Sequence, residues 1–187
     1  MALNIEKTFQ VQVAVETVWD IVSDPVQVAS CVPGAQITER VDETTYKGTI
    51  SVKVGPSVTN YNGVVHILRL DAQNHEIEIL GKGQDVRGRG SASMKMTGKL
   101  LALVDGGTEV TSSSEITVVG ILAQMGSRVI IEVSNVMFGE FTKNLEVRLK
   151  QSSNTPQGQK RDAGKPEPVK AGSVAWKATK GLFRRNP

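Results

Sequence analysis

The chain has 187 residues, of which 22 are basic and 19 acidic, for a formal net charge of +3. The length allows one ordinary domain with its own core, and a hydrophobic content of 39%, low for a compact globule, indicates that part of the chain does not pack. The lone cysteine, Cys31, excludes an intrachain disulfide, and residues 1–10 lack the apolar segment of a secretory signal, so we expect a cytoplasmic protein.

The N-terminal segment predicts one strand and two short helices. Residues 3–13 alternate loosely between apolar and polar side chains, which indicates a strand. Residues 16–22 predict a short helix that stops before Pro25, because proline disfavours helix at the preceding residue. A second short helix is predicted over residues 26–31.

A run of strand signals separated by turn residues follows. Apolar and polar side chains alternate over five segments, which predict strands at 46–54, 58–70, 75–82, 90–100 and 108–119. The glycine-rich string at 81–90 has the look of a phosphate-binding loop, but a strand follows it where such a loop requires a helix. We therefore interpret the string as a bulged hairpin in which Asp85 pairs with Arg87.

Beyond residue 120 the apolar spacing changes from two to three or four, which predicts one long helix from Ile121 to about Lys150. Its predicted stripe contains Leu122, Met125, Val129, Val133, Val136, Met137, Phe141, Leu145 and Leu149. An antiparallel sheet with one polar face needs a cover for the other, and only this helix can provide it. Residues 1–150 are thus predicted to form an α+β domain.

The composition changes again after residue 150. Residues 1–150 hold 14 basic and 17 acidic side chains, whereas residues 151–187 hold 8 and 2. Residues 151–170 are poor in apolar side chains and predict a disordered linker. On a helical projection, residues 171–187 separate an apolar face from a cationic one, as a helix in a membrane interface does. The predicted membrane-binding residues are Val174, Trp176, Lys177, Lys180, Leu182, Phe183, Arg184 and Arg185.

Other interpretations of this tail stay open, namely a disordered basic segment and a helix that docks on a partner protein. Nucleic acid is disfavoured because residues 1–150 are acidic and only Trp176 and Phe183 could stack on bases. The longest stretch without Asp, Glu, Lys or Arg has 15 residues, from Val54 to Leu68, which is too short to span a bilayer. Any membrane contact is therefore expected to be peripheral.

The polar residues do not predict a catalytic or metal site. The two histidines, His66 and His75, are predicted near opposite ends of neighbouring strands, and no Cys/His cluster has the spacing of metal ligands. Cys31 has no base near it in sequence, so a buried structural thiol is the preferred interpretation.

The covered face of the predicted sheet is the candidate ligand site. Small residues leave room there, and methionine adapts to varied apolar shapes. An ordinary core is the alternative interpretation of the same residues. The predicted lining consists of Tyr46, Ile50, Val54, Tyr61, Val65, Ile67, Ile79, Ala92, Met94, Met96, Leu122, Met125, Val129, Val133 and Met137.

Several strings resemble a known family: VWDIVSDPVQVASCVPG (18–34), VKVGPSVTNYNG (52–63), GKGQDVRGRGSAS (81–93), DGGTEV (105–110) and VVGILAQMGSRVI (118–130). Together they are similar to the carbon monoxide dehydrogenase G-subunit family, part of the helix-grip (START-like, SRPBCC) superfamily. The resemblance covers essentially all of residues 1–150. It implies a curved sheet of six to seven strands wrapped on a long C-terminal helix, with two short helices after the first strand. Residues that match as fold-shaping positions are Trp19, Pro33, Gly34, Gly55 and Pro56.

The resemblance also implies a function. Members of the family are accessory proteins without catalytic residues, which bring a molybdenum-containing CO dehydrogenase to the inner face of the cytoplasmic membrane. The electrons of that enzyme enter the respiratory chain there, so we expect a peripheral membrane protein with the dehydrogenase and an anionic membrane surface as partners. We further hypothesise that the cavity binds a lipid-like quinone, menaquinone or ubiquinone, without a covalent bond.

Three alternatives remain open. One is a small-molecule enzyme of the cyclase or hydrolase kind, for which the sequence offers His66, Asp85, Tyr46 and Tyr61. Another is a pure tether whose cavity is only a core. In the third, the partner is a related molybdenum hydroxylase other than CO dehydrogenase.

Overall fold

The computed structural model describes residues 1–54 and 57–153, which form one antiparallel sheet with helices on one of its faces. The seven strands are β1 (Ala2–Val11), β2 (Ala35–Arg40), β3 (Thr45–Val54), β4 (Ser57–Asp71), β5 (Glu76–Asp85), β6 (Gly90–Ala102) and β7 (Thr108–Gly120). The helices are α1 (Val15–Val22), α2 (Pro25–Cys31), α3 (Ile121–Gln124) and α4 (Ser127–Ser153). The strand order is β1-β7-β6-β5-β4-β3-β2, so only β1 pairs with a strand distant in sequence.

A row of glycines crosses the middle strands. Gly48, Gly63 and Gly83 lie directly opposite one another on β3, β4 and β5. A Cβ atom at Gly48 would lie 2.5 Å from a backbone oxygen of β2, and one at Gly63 would lie 2.9 Å from a backbone oxygen of β5. Because no side chain fits at Gly48 or Gly63, the backbones approach closely there and the sheet can bend around this row.

One end of the inner face holds the fully buried core. Its members come from α1, α2, the second half of α4 and the adjoining ends of β1, β6 and β7. They are Val11, Val18, Trp19, Ile21, Cys31, Leu100, Val110, Leu145 and Leu149. Phe9 on β1 extends this packing, since its ring centroid lies 5.7 Å from that of Phe138 and 6.5 Å from that of Phe141 on α4. These contacts identify the odd-numbered face of β1 as the face that α4 covers.

Hydrogen bonds fix α2 against α4. The Asp24 carboxylate accepts from the backbone N–H of Val26 at 2.8 Å and caps the helix. From α4, the Arg148 guanidinium donates to Gln27 Oε1 at 3.2 and 3.3 Å, and Asn144 donates to the Cys31 carbonyl at 3.0 Å. The second half of α4 is thus held at one end of the sheet.

The curved antiparallel sheet, the two short helices and the long C-terminal helix that the sequence predicts are confirmed. Three details differ. Strand β2 had no clear alternating pattern and was not predicted. The continuous helix from Ile121 is wrong, because Gly126 adopts φ +84° and separates α3 from α4. The buried stripe of α4 passes through Ile130, 8% exposed, whereas Val136, predicted to lie in it, is 62% exposed.

The predicted linker at 151–170 and the tail at 171–187 lie outside the described residues, apart from the last three residues of α4. None of the helices within the described ranges is long and apolar enough to cross a membrane.

The position of the core predicts a contrast between two helix positions. Leu145→Ala removes a side chain with no exposed surface and should lower the free energy of unfolding by about 2–5 kcal/mol. Val136→Ala, on the same helix, should change it by less than about 0.5 kcal/mol. Urea unfolding followed by circular dichroism measures both, and equal losses would contradict the helix register described above.

Candidate binding groove

The inner face of the sheet beyond the core is the candidate site. Strand register places one residue of each strand in a continuous row that runs from Tyr46 through Val65, Gly81, Met94 and Ile116 to Leu3. Neighbouring rows add the rest of the predicted sheet lining, which therefore shares this face: Ile50, Tyr61, Ile67, Ile79, Ala92 and Met96. We call this surface, with the first half of α4 opposite it, the groove.

The groove is only partly covered. Val65, Ile79, Met94 and Met96 lie on central strands, where both neighbours in the sheet are present, yet all four are half-buried. The facing positions predicted on the helices, Leu122, Val129, Val133 and Met137, are also half-buried or exposed, and Met125 is 40% exposed. Apolar side chains that remain accessible between a sheet and its covering helix mark space that the protein does not fill.

Two depressions elsewhere on the surface share no residue with the predicted lining. One, of about 260 Å³, lies between α2 and α4 beside Cys31 and Arg148. The other, of about 550 Å³, lies over the glycine row among Lys47, Asn62 and Lys82. The ligand cavity predicted from the sequence thus stays a prediction, although the structure places its predicted sheet residues on one face. For one of them, Val54, only the backbone is described.

Two tyrosines face the groove on either side of the glycine row. Tyr46 is 6% exposed and Tyr61 4%. Burial raises the pKa of Tyr61, and the nearby Asp85 carboxylate raises it further. The phenol therefore stays protonated at neutral pH and can donate a hydrogen bond to a ligand oxygen.

An ion pair between the buried Asp85 and the exposed Arg89 lies beside Tyr61. The Asp85 carboxylate accepts from Arg89 Nη2 at 3.1 Å and from the backbone N–H of Arg87 at 2.7 Å. The hydrogen bond from Arg89 lowers the pKa of Asp85, and burial opposes that shift without cancelling it. The predicted side-chain pair between Asp85 and Arg87 is wrong, because the hairpin turns the Arg87 side chain to solvent and brings Arg89 back onto Asp85.

The remaining polar candidates do not join this cluster. His66 lies on the outer face, where its Nδ1 is 3.2 Å from Thr45 Oγ1. His75 packs edge-on against Trp19, with ring centroids 5.3 Å apart, near the core. Cys31 is 1% exposed within that core. No group of acidic, histidine or cysteine residues in the described ranges could hold a metal ion.

Some groove residues were not assigned to the site from sequence. Ile116 and Val118 of β7 and Leu3 and Ile5 of β1 share this face, and none of them is in the predicted lining. The sequence shows the alternation along β1. It does not show that β1 pairs with β7, because no local pattern specifies a pairing partner about a hundred residues away.

A family model for the G-subunit of carbon monoxide dehydrogenase (CoxG) matches residues 8–150 of this chain. A search of curated proteins finds no match.

Solved structures share the fold at low sequence identity. A conserved protein from Geobacillus kaustophilus has a TM-score of 0.73 at 21% identity, over 80% of this chain and 97% of that one. The ZhuI aromatase/cyclase from Streptomyces sp. R1128 has a TM-score of 0.62 at 12% identity, over 85% and 100%. A START superfamily protein from Mycobacterium smegmatis has a TM-score of 0.57 at 14% identity, over 80% and 98%. These matches show a START-like fold.

The ion pair predicts a pH-dependent difference between two arginine variants. Arg89→Gln leaves the buried Asp85 carboxylate without its cation and should destabilise the protein at pH 7. Because the folded-state pKa of Asp85 lies below its ordinary value, the stability that the pair contributes is present above about pH 3.9 and is lost as the pH falls through the folded pKa.

Arg87→Gln is the matched control, since Arg87 contacts Asp85 only through its backbone N–H. Urea unfolding at pH 7 and at pH 3 measures the free energy of unfolding of both variants. Arg87→Gln should match the wild type at each pH. If the loss of stability caused by Arg89→Gln is no smaller at pH 3 than at pH 7, the charge pair is contradicted.

Proposed function

The chain belongs to the carbon monoxide dehydrogenase G-subunit (CoxG) family, a family of accessory subunits, and on that premise we propose what it does. It recruits a molybdenum-containing CO dehydrogenase, or a related molybdenum hydroxylase, to the inner face of the cytoplasmic membrane. In its groove it holds a lipophilic quinone, menaquinone or ubiquinone, for the electrons of that enzyme. The protein itself contributes binding and placement, and the partner contributes catalysis.

The observation that carries the quinone proposal is the composition of the groove. Its floor consists of accessible aliphatic and methionine side chains, which suit an isoprenoid chain. The glycine row and Ala92 lie at one register and leave room for a flat ring. Tyr46 and Tyr61 lie on either side of this row. Their hydroxyls are donors of the kind that quinone carbonyls accept. A quinone has this combination of an apolar chain and two acceptor oxygens.

The membrane part of the proposal rests on the sequence of residues 171–187. Cations there attract anionic lipid at about 1 kcal/mol each near the surface, and Trp176, Leu182 and Phe183 add burial of roughly 1.5–3 kcal/mol for each side chain fully inserted. The sum supports reversible attachment, as an accessory protein that meets a separate enzyme requires.

A groove enzyme is the second candidate, since the ZhuI aromatase/cyclase shares the fold. Tyr46, Tyr61 and Asp85 face the same groove, which favours it. Two contacts disfavour it: the Asp85 carboxylate is already held by Arg89, and His66 lies on the outer face. A pure tether, without ligand, is the third candidate.

A groove-filling substitution tests ligand binding. A short-chain ubiquinone or menaquinone analogue should raise the melting temperature of the full-length protein, because a ligand of the folded state stabilises by mass action. Ala92→Phe, on the groove floor, should reduce that shift at least several-fold. Differential scanning fluorimetry with increasing quinone measures the shift.

Ser91→Phe is the matched control, because Ser91 is adjacent in sequence, exposed and on the outer face. It should keep the quinone-dependent shift. If wild type shows no shift and extracts of native membranes yield no quinone with the protein, the pure tether is favoured.

Recruitment is tested by sedimentation of three components. Purified dehydrogenase should sediment with vesicles containing phosphatidylglycerol only when the full-length chain is present. The variant Trp176→Ala/Phe183→Ala should lower the sedimented fraction of both proteins about tenfold or more, because two large anchors are lost. Val26→Ala/Val147→Ala, at two exposed positions of α2 and α4, is the control and should behave like wild type. Sedimentation that is unchanged by the tail variant would show that the tail is not the anchor.

A further inference from the structure

Charge is distributed unevenly between the two ends of the sheet. At the end that holds the core, the turns between strands carry Asp42, Glu43 and Asp105 and no lysine or arginine. Glu16 at the start of α1 and Asp71 at the end of β4 belong to the same end, where Arg40 at the end of β2 is an exposed cation. We call this the acidic end.

The opposite end has the reverse composition. Lys53 lies at the end of β3, Arg87 and Arg89 lie in the β5–β6 hairpin, and Arg128 begins α4. All four are exposed, and the only acidic residue in these described segments is Asp85, which is buried against Arg89. We call this the basic end.

Large apolar side chains are also exposed at the basic end: Val58 at 57%, Val86 at 52%, Val119 at 57% and Met125 at 40%. Hydrogen bonds hold the segments that carry them together. The Ile121 N–H donates to the Arg89 carbonyl at 3.0 Å, which joins α3 to the hairpin, and the Val86 N–H donates to the Asn60 carbonyl at 2.9 Å, which joins the hairpin to β4. Exposed apolar side chains among cations, on neighbouring segments, form a surface suited to anionic lipid.

The accessible part of the groove lies near this end. The fully buried core fills the inner face at the acidic end, whereas the half-buried glycine row and Ala92 lie nearer the basic end, with the buried Tyr61 and Asp85 beyond them. A ligand beside the glycine row would thus lie close to the hairpin that carries Val86 and the two arginines.

We propose that the basic end docks directly on anionic lipid, as a contact separate from the tail, and that it brings the glycine-row part of the groove close to the bilayer surface. The inference rests on the proposed function, since it states which end of the groove a membrane-derived lipophilic ligand approaches. Anionic lipid is the proposed partner because positive charge distinguishes this end. Apolar exposure alone does not, since the acidic end also exposes apolar residues such as Val104.

The test uses the full-length chain with vesicles of phosphatidylcholine alone or with 30% phosphatidylglycerol, about a third of the lipid, at low and high salt. Lys53→Gln/Arg87→Gln/Arg128→Gln should lower the partition coefficient on anionic vesicles at least about tenfold and weaken its salt dependence. Lys47→Gln/Lys143→Gln/Lys150→Gln removes the same charge elsewhere and should have a smaller effect. Equal losses from the two triple variants would overturn the proposal.

A positional probe separates this contact from the tail. An environment-sensitive fluorophore on Val86→Cys should shift to the blue on anionic vesicles, and the same probe on Val104→Cys, at the acidic end, should not. Cys31 is 1% exposed and stays unlabelled. In the background Trp176→Ala/Phe183→Ala, the shift at position 86 should persist at higher vesicle concentration, since the basic end is intact.

The outcomes distinguish the two proposals. If the protein sediments but the probe at position 86 does not respond, the tail alone is the anchor and the docking proposal fails while recruitment stands. If the probe responds to the dehydrogenase without vesicles and not to lipid, the basic end is a protein interface and the docking proposal fails. If the tail variant binds as well as wild type and position 86 responds, the docking proposal stands and the tail is not the anchor.

Discussion

The close approach of backbones along the glycine row is the constraint on which the rest of the structure depends. Gly48, Gly63 and Gly83 lie at one register of three neighbouring strands, and a side chain at Gly48 or Gly63 would force these strands apart. The bend lets a seven-stranded sheet wrap one long helix and turn its inner face into a concave surface. The same glycines leave that surface bare beside two tyrosine rings. Curvature and space for a ligand therefore have one physical origin.

Helix α4 does not fill the concave surface that the bend of the sheet creates. Its second half is held at one end by the hydrogen bonds from Arg148 and by Leu145 and Leu149, which are fully buried. Its first half begins after Gly126, which breaks the direction set by α3, and it leaves the central strands half-buried. The protein thus has one end whose buried core supplies stability, and apolar surface stays accessible in the middle of the sheet.

Polar interactions follow the same division. At the basic end, the Asp85–Arg89 pair closes the β5–β6 hairpin without adding a free charge to the groove, and Tyr61 stays neutral next to it. Acidic residues predominate in the turns of the acidic end, and the strand ends and the hairpin at the basic end carry exposed cations. Membership of a family of accessory subunits accords with the proposed function, in which the groove binds a ligand and a partner supplies the chemistry.

The sequence by itself determined the secondary-structure order, the α+β class, the inward side of most strands and the family, because these follow from local periodicity and short motifs. It also predicted most of the groove floor, since alternation along β3 to β6 assigns one side of each strand. Only the tertiary structure decided that β1 joins β7, that Arg89 rather than Arg87 pairs with Asp85, and that α4 turns Ile130 inward and Val136 outward. Each of these depends on a long-range pairing, a turn or a helix rotation, and a valine-rich helix with apolar residues on every side does not specify its own rotation until it packs. Likewise, the separation of acidic and basic ends emerged only when antiparallel pairing brought distant turns to the same edge of the sheet.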